Sequence, residues 1–203
     1  ILDELLRGKR NPPQPAYRAD LQATRATWIG LPDERRALLR LLSRMSLSPQ
    51  QAQRWFDGRE RSKAVRAPVT DAEILSNPYR IAETDLGDWN DYPVSIATVE
   101  RGVMPDDSVS IAHPVEPPSR VESPMDPRRI RAALVAVLRD AATRGDALLS
   151  ESDAVMGLSR LDLPRPCTMP ADWLTGNEEG LAPEVERLRI EFEAEGNDGV
   201  TCV

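Results

Sequence analysis

Lysine is nearly missing from this sequence: Lys9 and Lys63 are the only two among 26 basic residues in a chain of 203. A phosphate loop of the type G-x-x-x-x-G-K-[ST] needs a lysine after glycine, because its ammonium neutralises phosphates that the loop amides cradle. Lys9 follows Gly8 but precedes Arg10 and has Asp3 where the first glycine belongs, and Lys63 follows Ser62. The chain is therefore not expected to hydrolyse ATP by itself, and Ile1-Leu2-Asp3-Glu4 reads as amphipathic helix, not as the end of a Walker B strand. Cysteine is equally scarce. Cys167 and Cys202 provide neither a disulfide framework nor a four-ligand zinc site, and neither lies in C-x-x-C. The single histidine, His113, sits in a proline-rich stretch without a placed nucleophile or orienting carboxylate, so it is expected in an exposed loop, not as a general base. No apolar run approaches the ~18 to 20 residues that span a bilayer, and the first residues lack the apolar stretch of a signal peptide. The expectation is a soluble, cytoplasmic chain with no membrane partner.

Charge is abundant and uneven. The net charge of -7 divides into +7 over residues 1–66 (14 basic, 7 acidic) and -14 over residues 67–203 (12 basic, 26 acidic). Such a division suits a chain of which one end meets nucleic acid, or whose two halves meet each other. The strong preference for Arg, with abundant Ala and Pro, has the look of a GC-rich coding sequence, so no single Arg is evidence for phosphate recognition.

Along the chain, Arg10 to Pro15 (RNPPQP) breaks any helix begun at the N-terminus. A helical pattern starts at Asp20 and closes at Gly30-Leu31-Pro32. From Asp33, the spacing of Leu38, Leu41, Leu42 and Met45 predicts a stronger helix. Ser48-Pro49-Gln50-Gln51 is a capping box with proline at the first helical position, so a second helix is expected to about Asp57 with Trp55-Phe56 facing inward. Thr70-Asp71-Ala72-Glu73 is a second capping box, and Asn77-Pro78 must stop its helix. Asp85 to Tyr92 (DLGDWNDY) reads as a solvated polar turn. Its Asp85, Asp88 and Asp91 miss the calcium-loop pattern, and no metal is expected there. Val94 to Val103 alternates and predicts a strand. Six prolines between Pro105 and Pro127 mark a linker or an arm on the surface. Beyond it, Asp126-Pro127 opens a helix with Ile130, Ala133, Leu134, Val137, Leu138 and Ala141 as its stripe and Gly145 as its stop. Ser150 caps another helix to Arg160, and a short one is expected after Pro183. Leu188, Ile190 and Phe192 alternate, Gly196 to Gly199 supplies a turn, and Val200 to Val203 alternates back, which predicts a hairpin. The fold expected is mainly α: a basic, helix-hairpin-helix-like part over 1–104, a proline-rich arm over 105–126, and an acidic, winged-helix-like α+β part over 127–203.

Nine basic residues fall within 32 positions: Arg35, Arg36, Arg40, Arg44, Arg54, Arg59, Arg61, Lys63 and Arg66. Positive charge around two helices and a tight turn suits contact with a phosphate backbone, and these nine with Ser48 are the candidate DNA-binding residues. The turn from Arg44 to Ser48 has no glycine, although backbone amides approach phosphate most easily where glycine permits it. Trp28, Trp55, Trp89 and Trp173 are expected to pack in the core and not to stack on bases.

The run Leu42-Ser43-Arg44-Met45-Ser46-Leu47-Ser48-Pro49-Gln50-Gln51-Ala52, followed by Glu73-Ile74-Leu75-Ser76-Asn77-Pro78-Tyr79-Arg80-Ile81-Ala82-Glu83, resembles the N-terminal region of RecD-like superfamily 1 DNA helicases, the exonuclease V alpha-subunit group of bacteria. Asp126-Pro127-Arg128-Arg129-Ile130-Arg131-Ala132-Ala133-Leu134, through Gly145-Asp146-Ala147-Leu148-Leu149, resembles the next helix of that family, in the same order along the chain. Where the family usually has a phosphate-binding glycine hairpin of the type G-I-G-F, this chain has the acidic Leu86-Gly87-Asp88-Trp89-Asn90-Asp91-Tyr92. The resemblance implies a non-catalytic accessory fragment of an ATP-dependent helicase of DNA repair or recombination. It would guide single-stranded or forked DNA, or dock on a motor lying beyond Val203; ATP and magnesium would belong to that motor, and the fragment itself would need no cofactor. The alternative is a protein-interaction module without DNA contact.

Overall fold

A computed structural model describes residues 2–170, 172–182, 184–190 and 200–202. The chain is mainly helical. Its helices are α1 (Leu2–Leu6), α2 (Arg18–Gly30), α3 (Asp33–Leu42), α4 (Pro49–Phe56), α5 (Gly58–Lys63), α6 (Asp71–Ser76), α7 (Arg80–Thr84), α8 (Ile96–Val103), α9 (Asp107–Ala112), α10 (Pro127–Thr143), α11 (Glu151–Arg160), α12 (Trp173–Gly176) and α13 (Glu178–Leu181). Strands β1 (Leu188–Ile190) and β2 (Val200–Cys202) pair antiparallel, Leu188 opposite Cys202. The turn expected at Gly196 to Gly199 lies outside the described residues.

The helix boundaries follow local chemistry. Both capping boxes close: Ser48 accepts from the Gln51 amide while the Gln51 side chain accepts from the Ser48 amide, and Thr70 and Glu73 do the same. Each arrangement satisfies two amides that the first turn of a helix leaves without partners. Asp126 caps α10 ahead of Pro127, and Ser150 caps α11. The short helix expected after Pro183 is α13 instead, which ends before it; Val185 to Arg187 is irregular.

One expectation fails outright. Val94 to Val103 is not a strand, since Ser95 accepts from the Thr98 amide and opens α8. A period of two and a period of 3.6 both fit this short run. The helix prevails because it buries Ile96, Val99 and Val103 together on one face and carries Glu100 inward.

The buried apolar cluster runs from Leu38, Leu41 and Trp55 through Ile74, Tyr79, Ile81 and Val99 to Ile130, Leu134, Leu158, Leu174 and Val185, so it includes residues on both sides of the proline-rich segment. A buried ion pair joins the same regions: Arg129 of α10 donates to both oxygens of Glu100 on α8, at 3.2 Å from Nη2, with both side chains fully buried. Between them the proline-rich arm lies against the body. Arg128 donates to the Pro118 and Arg120 carbonyls at 3.1 and 2.7 Å, Ser119 to the Leu75 carbonyl at 2.7 Å, and Arg44 to the His113 carbonyl at 2.7 Å.

Candidate functional site

The basic helices α3, α4 and α5 bring the candidate residues into one region, but most of the guanidinium groups turn toward the protein. Arg54, buried on α4, sits among three carboxylates, with Asp85 at 3.0 Å, Asp88 at 3.4 Å and Asp91 at 3.9 Å. Arg61, buried on α5, donates to the carbonyls of Trp55 and Val69 at 3.1 and 2.9 Å and to Asp71 at 2.6 Å. Arg35 meets the other oxygen of Asp71 at 2.7 Å and stacks over the Phe56 ring, 3.7 Å from its centroid. Arg36 donates to the Leu31 and Ile29 carbonyls at the end of α2, and to Asp33. Arg44 reaches the Gly102 carbonyl at 3.0 Å and that of His113. Ser48, besides capping α4, donates to Asp91 at 2.6 Å.

Three of the remaining four candidates face outward. Arg59 and Arg66 are exposed, Lys63 is exposed and paired with Glu60 at 2.7 Å, and Arg40 is half-buried. One side of the turn between α3 and α4 packs against α8, which approaches so closely at Gly102 that a Cβ there would lie 2.8 Å from Met45 Cγ and 3.0 Å from the Arg44 carbonyl carbon, while Ser43 and Ser46 are exposed.

The acidic turn is the other half of this arrangement and is not the solvated loop expected. Asp85 is buried, and its two oxygens accept from the amides of Gly87 (3.0 Å) and Val94 (2.8 Å), from Trp55 Nε1 (3.2 Å) and from Arg54 (3.0 Å). Gly87, at a φ of +69°, takes the left-handed conformation that lets the chain reverse here. Charged side chains so buried persist only when paired and hydrogen-bonded. Part of the division of charge along the sequence is thus met within the molecule, where Arg35, Arg54 and Arg61 pair with Asp71, Asp85, Asp88 and Asp91.

The pairing and the burial shift several of these groups. Burial pushes the Asp71 carboxyl up, yet the hydrogen bonds from Arg35 and Arg61 outweigh it and hold it below the usual carboxylate value. Burial pulls Arg44 down, only partly countered by Glu116. Burial alone lowers Arg129, but Glu100's hydrogen bond and charge reverse the sign. Desolvation raises the thiol of Cys167 and the phenol of Tyr79, so both stay protonated at neutral pH. Among the described residues no group of three or more His, Cys, Asp or Glu is placed to hold a metal ion, and none of the helices is long and apolar enough to cross a membrane.

Sequence reasoning missed the aromatic residues of the acidic turn. Trp28 and Trp55 are buried and Trp173 half-buried, but Trp89 is 94% exposed and Tyr92 86% exposed. The signal was present in DLGDWNDY, where Trp89 stands between Asp88 and Asn90 and Tyr92 follows Asp91, with no apolar stripe to draw the rings inward. No family model, curated protein or solved structure matches the chain.

Proposed function

We propose that the chain is a non-catalytic accessory segment of a RecD-like DNA helicase that docks on protein, the helicase motor being the partner, and does not itself grip DNA. The helicase part of this reading rests on the resemblance of Leu42–Ala52, Glu73–Glu83 and Asp126–Leu149. In it, α3, α4 and their turn form the helix-hairpin-helix-like element, α10, α11 and the β1–β2 pair form the winged-helix-like one, and ATP and magnesium belong to the motor. The observation that favours docking over DNA guiding is the internal pairing of Arg35, Arg36, Arg44, Arg54 and Arg61. Affinity for nucleic acid grows with the number of cations that displace counterions from phosphates, and a guanidinium already held by carboxylates or carbonyls displaces none. A second reading, DNA contact, draws on the outward Arg59, Lys63 and Arg66.

The test pairs two titrations. Calorimetry with the purified motor of a RecD-like helicase is expected to show a complex. Fluorescence anisotropy with labelled single-stranded and forked DNA at low and moderate salt is expected to show none, or a weak one of shallow salt dependence. DNA binding that falls steeply with salt and is abolished by replacing Arg59, Lys63 and Arg66 together would overturn the docking reading in favour of the second.

A further inference from the structure

Two large rings in water are an unusual feature for a chain in which aromatics make up 4% of residues. Trp89 and Tyr92 are not on a loose loop. Backbone hydrogen bonds run both ways between Asp88 and Asp91 (3.0 and 3.3 Å), and the Asp88 carboxylate accepts from the Asn90 amide at 2.7 Å. Asp85 clamps the stem of the turn through Gly87 and Val94, while Gln51 and Arg54 donate to the Tyr92 carbonyl at 3.1 and 3.3 Å. Leu86, 45% exposed, adds apolar surface beside them. A turn whose backbone is fixed in this way loses little freedom on binding, so only the two side-chain rotors of each ring are left to order.

Charge selects the kind of partner. The turn presents Asp88 and the less exposed Asp91, while Asp85 and Arg54 lie buried beneath it, and the four groups together carry an excess of two negative charges. Lys63, which lines the same cleft as Asp88, is paired with Glu60. Surfaces that stack nucleic-acid bases set their aromatics in a cationic groove. This one is anionic, so it repels phosphate and favours basic groups.

We infer that the turn from Leu86 to Tyr92 is the surface by which the chain docks, with Trp89 and Tyr92 entering an apolar cleft of a protein whose rim carries Arg or Lys. The inference rests on the docking reading above and names its contact surface.

The experiment is calorimetric titration of the RecD-like motor with the wild-type chain and with Trp89→Ala, Tyr92→Ala and Asp88→Asn. Both aromatic replacements are expected to weaken binding at least tenfold without changing circular dichroism or melting temperature, because neither ring is part of the core. Asp88→Asn keeps an acceptor for the Asn90 amide and removes the charge; it is expected to weaken binding severalfold and to lessen its salt dependence. In the free chain, caesium is expected to quench the exposed tryptophan emission more than iodide does, and the motor to protect it. Wild-type binding that survives both aromatic replacements would overturn the turn as the contact and leave the docking reading standing; no wild-type binding would overturn both. Protection of Trp89 by single-stranded DNA, or self-association lost in Trp89→Ala, would replace the basic-rimmed protein with nucleic acid or a second copy of the chain, and so overturn the inference.

Discussion

Between Asp33 and Arg66 the chain carries nine cations and folds most of them inward, whereas between Leu86 and Tyr92 it carries two large aromatics and leaves both in water. The usual expectation, charge outside and rings inside, is inverted in both places, and the two inversions are joined at Arg54 and Asp85. The long arginine side chain can lay its methylenes against the core while its fork finds carboxylates and carbonyls. The turn, clamped at its base, has no freedom to bring Trp89 back to that core. Neither burial nor exposure follows from residue type alone; each follows from what lies within reach.

The strongest way to break this comparison is at the shared joint. Asp85→Ala removes the acceptor of Arg54, Trp55 and two amides at once, leaving a buried cation short of a partner, and is expected to cost about 3 to 5 kcal/mol in urea denaturation. Trp55→Ala, which empties a fully buried site on the same helix as Arg54, is expected to cost about as much, roughly 3 to 5 kcal/mol. Next comes Arg61→Ala, which frees two buried carbonyls but leaves Asp71 its Arg35 partner; a loss of about 2 to 3 kcal/mol is expected, read by the same method.

A smaller effect lies in the acid limb. The Asp71 carboxyl is held below its usual value, so its contribution is present above the unfolded value of roughly 4 and is lost as pH falls through the lower, folded one. The wild type is expected to lose stability on acidification below about pH 4, and Asp71→Asn, less stable at neutral pH, to show a shallower loss over that range in denaturation followed by circular dichroism. The smallest effect sharpens the contrast with Trp55. Trp89→Ala is expected to change stability by no more than about 0.5 kcal/mol, because the ring is 94% exposed.

Where the sequence was legible, a local rule was enough. Ser48-Pro49-Gln50-Gln51, Thr70 to Glu73, Asp126-Pro127 and Ser150 mark the starts of α4, α6, α10 and α11, because a cap is satisfied by residues two or three positions away. The apolar residues of Val94 to Val103 fit two periods, and the helix buries Ile96, Val99 and Val103 while bringing Glu100 to Arg129, which stands 29 positions further along. The cations of α3 to α5 were legible as a cluster but not as an interior one. Their partners at Asp71, Asp85, Asp88 and Asp91 lie in a different stretch, and the shared location exists only once α3 packs on α6 and the acidic turn closes over α4.

Composition and spacing by themselves determined that the chain is mainly helical, that it carries no phosphate-loop motif, and where α3, α4, α6, α10 and α11 begin, since these depend on residues a few positions apart. The tertiary structure alone decided which charges are held within the molecule and which rings face the solvent. Burial and ion pairing are properties of groups brought together from distant positions, and a carboxylate 31 residues away from Arg54 becomes its neighbour only in the folded chain.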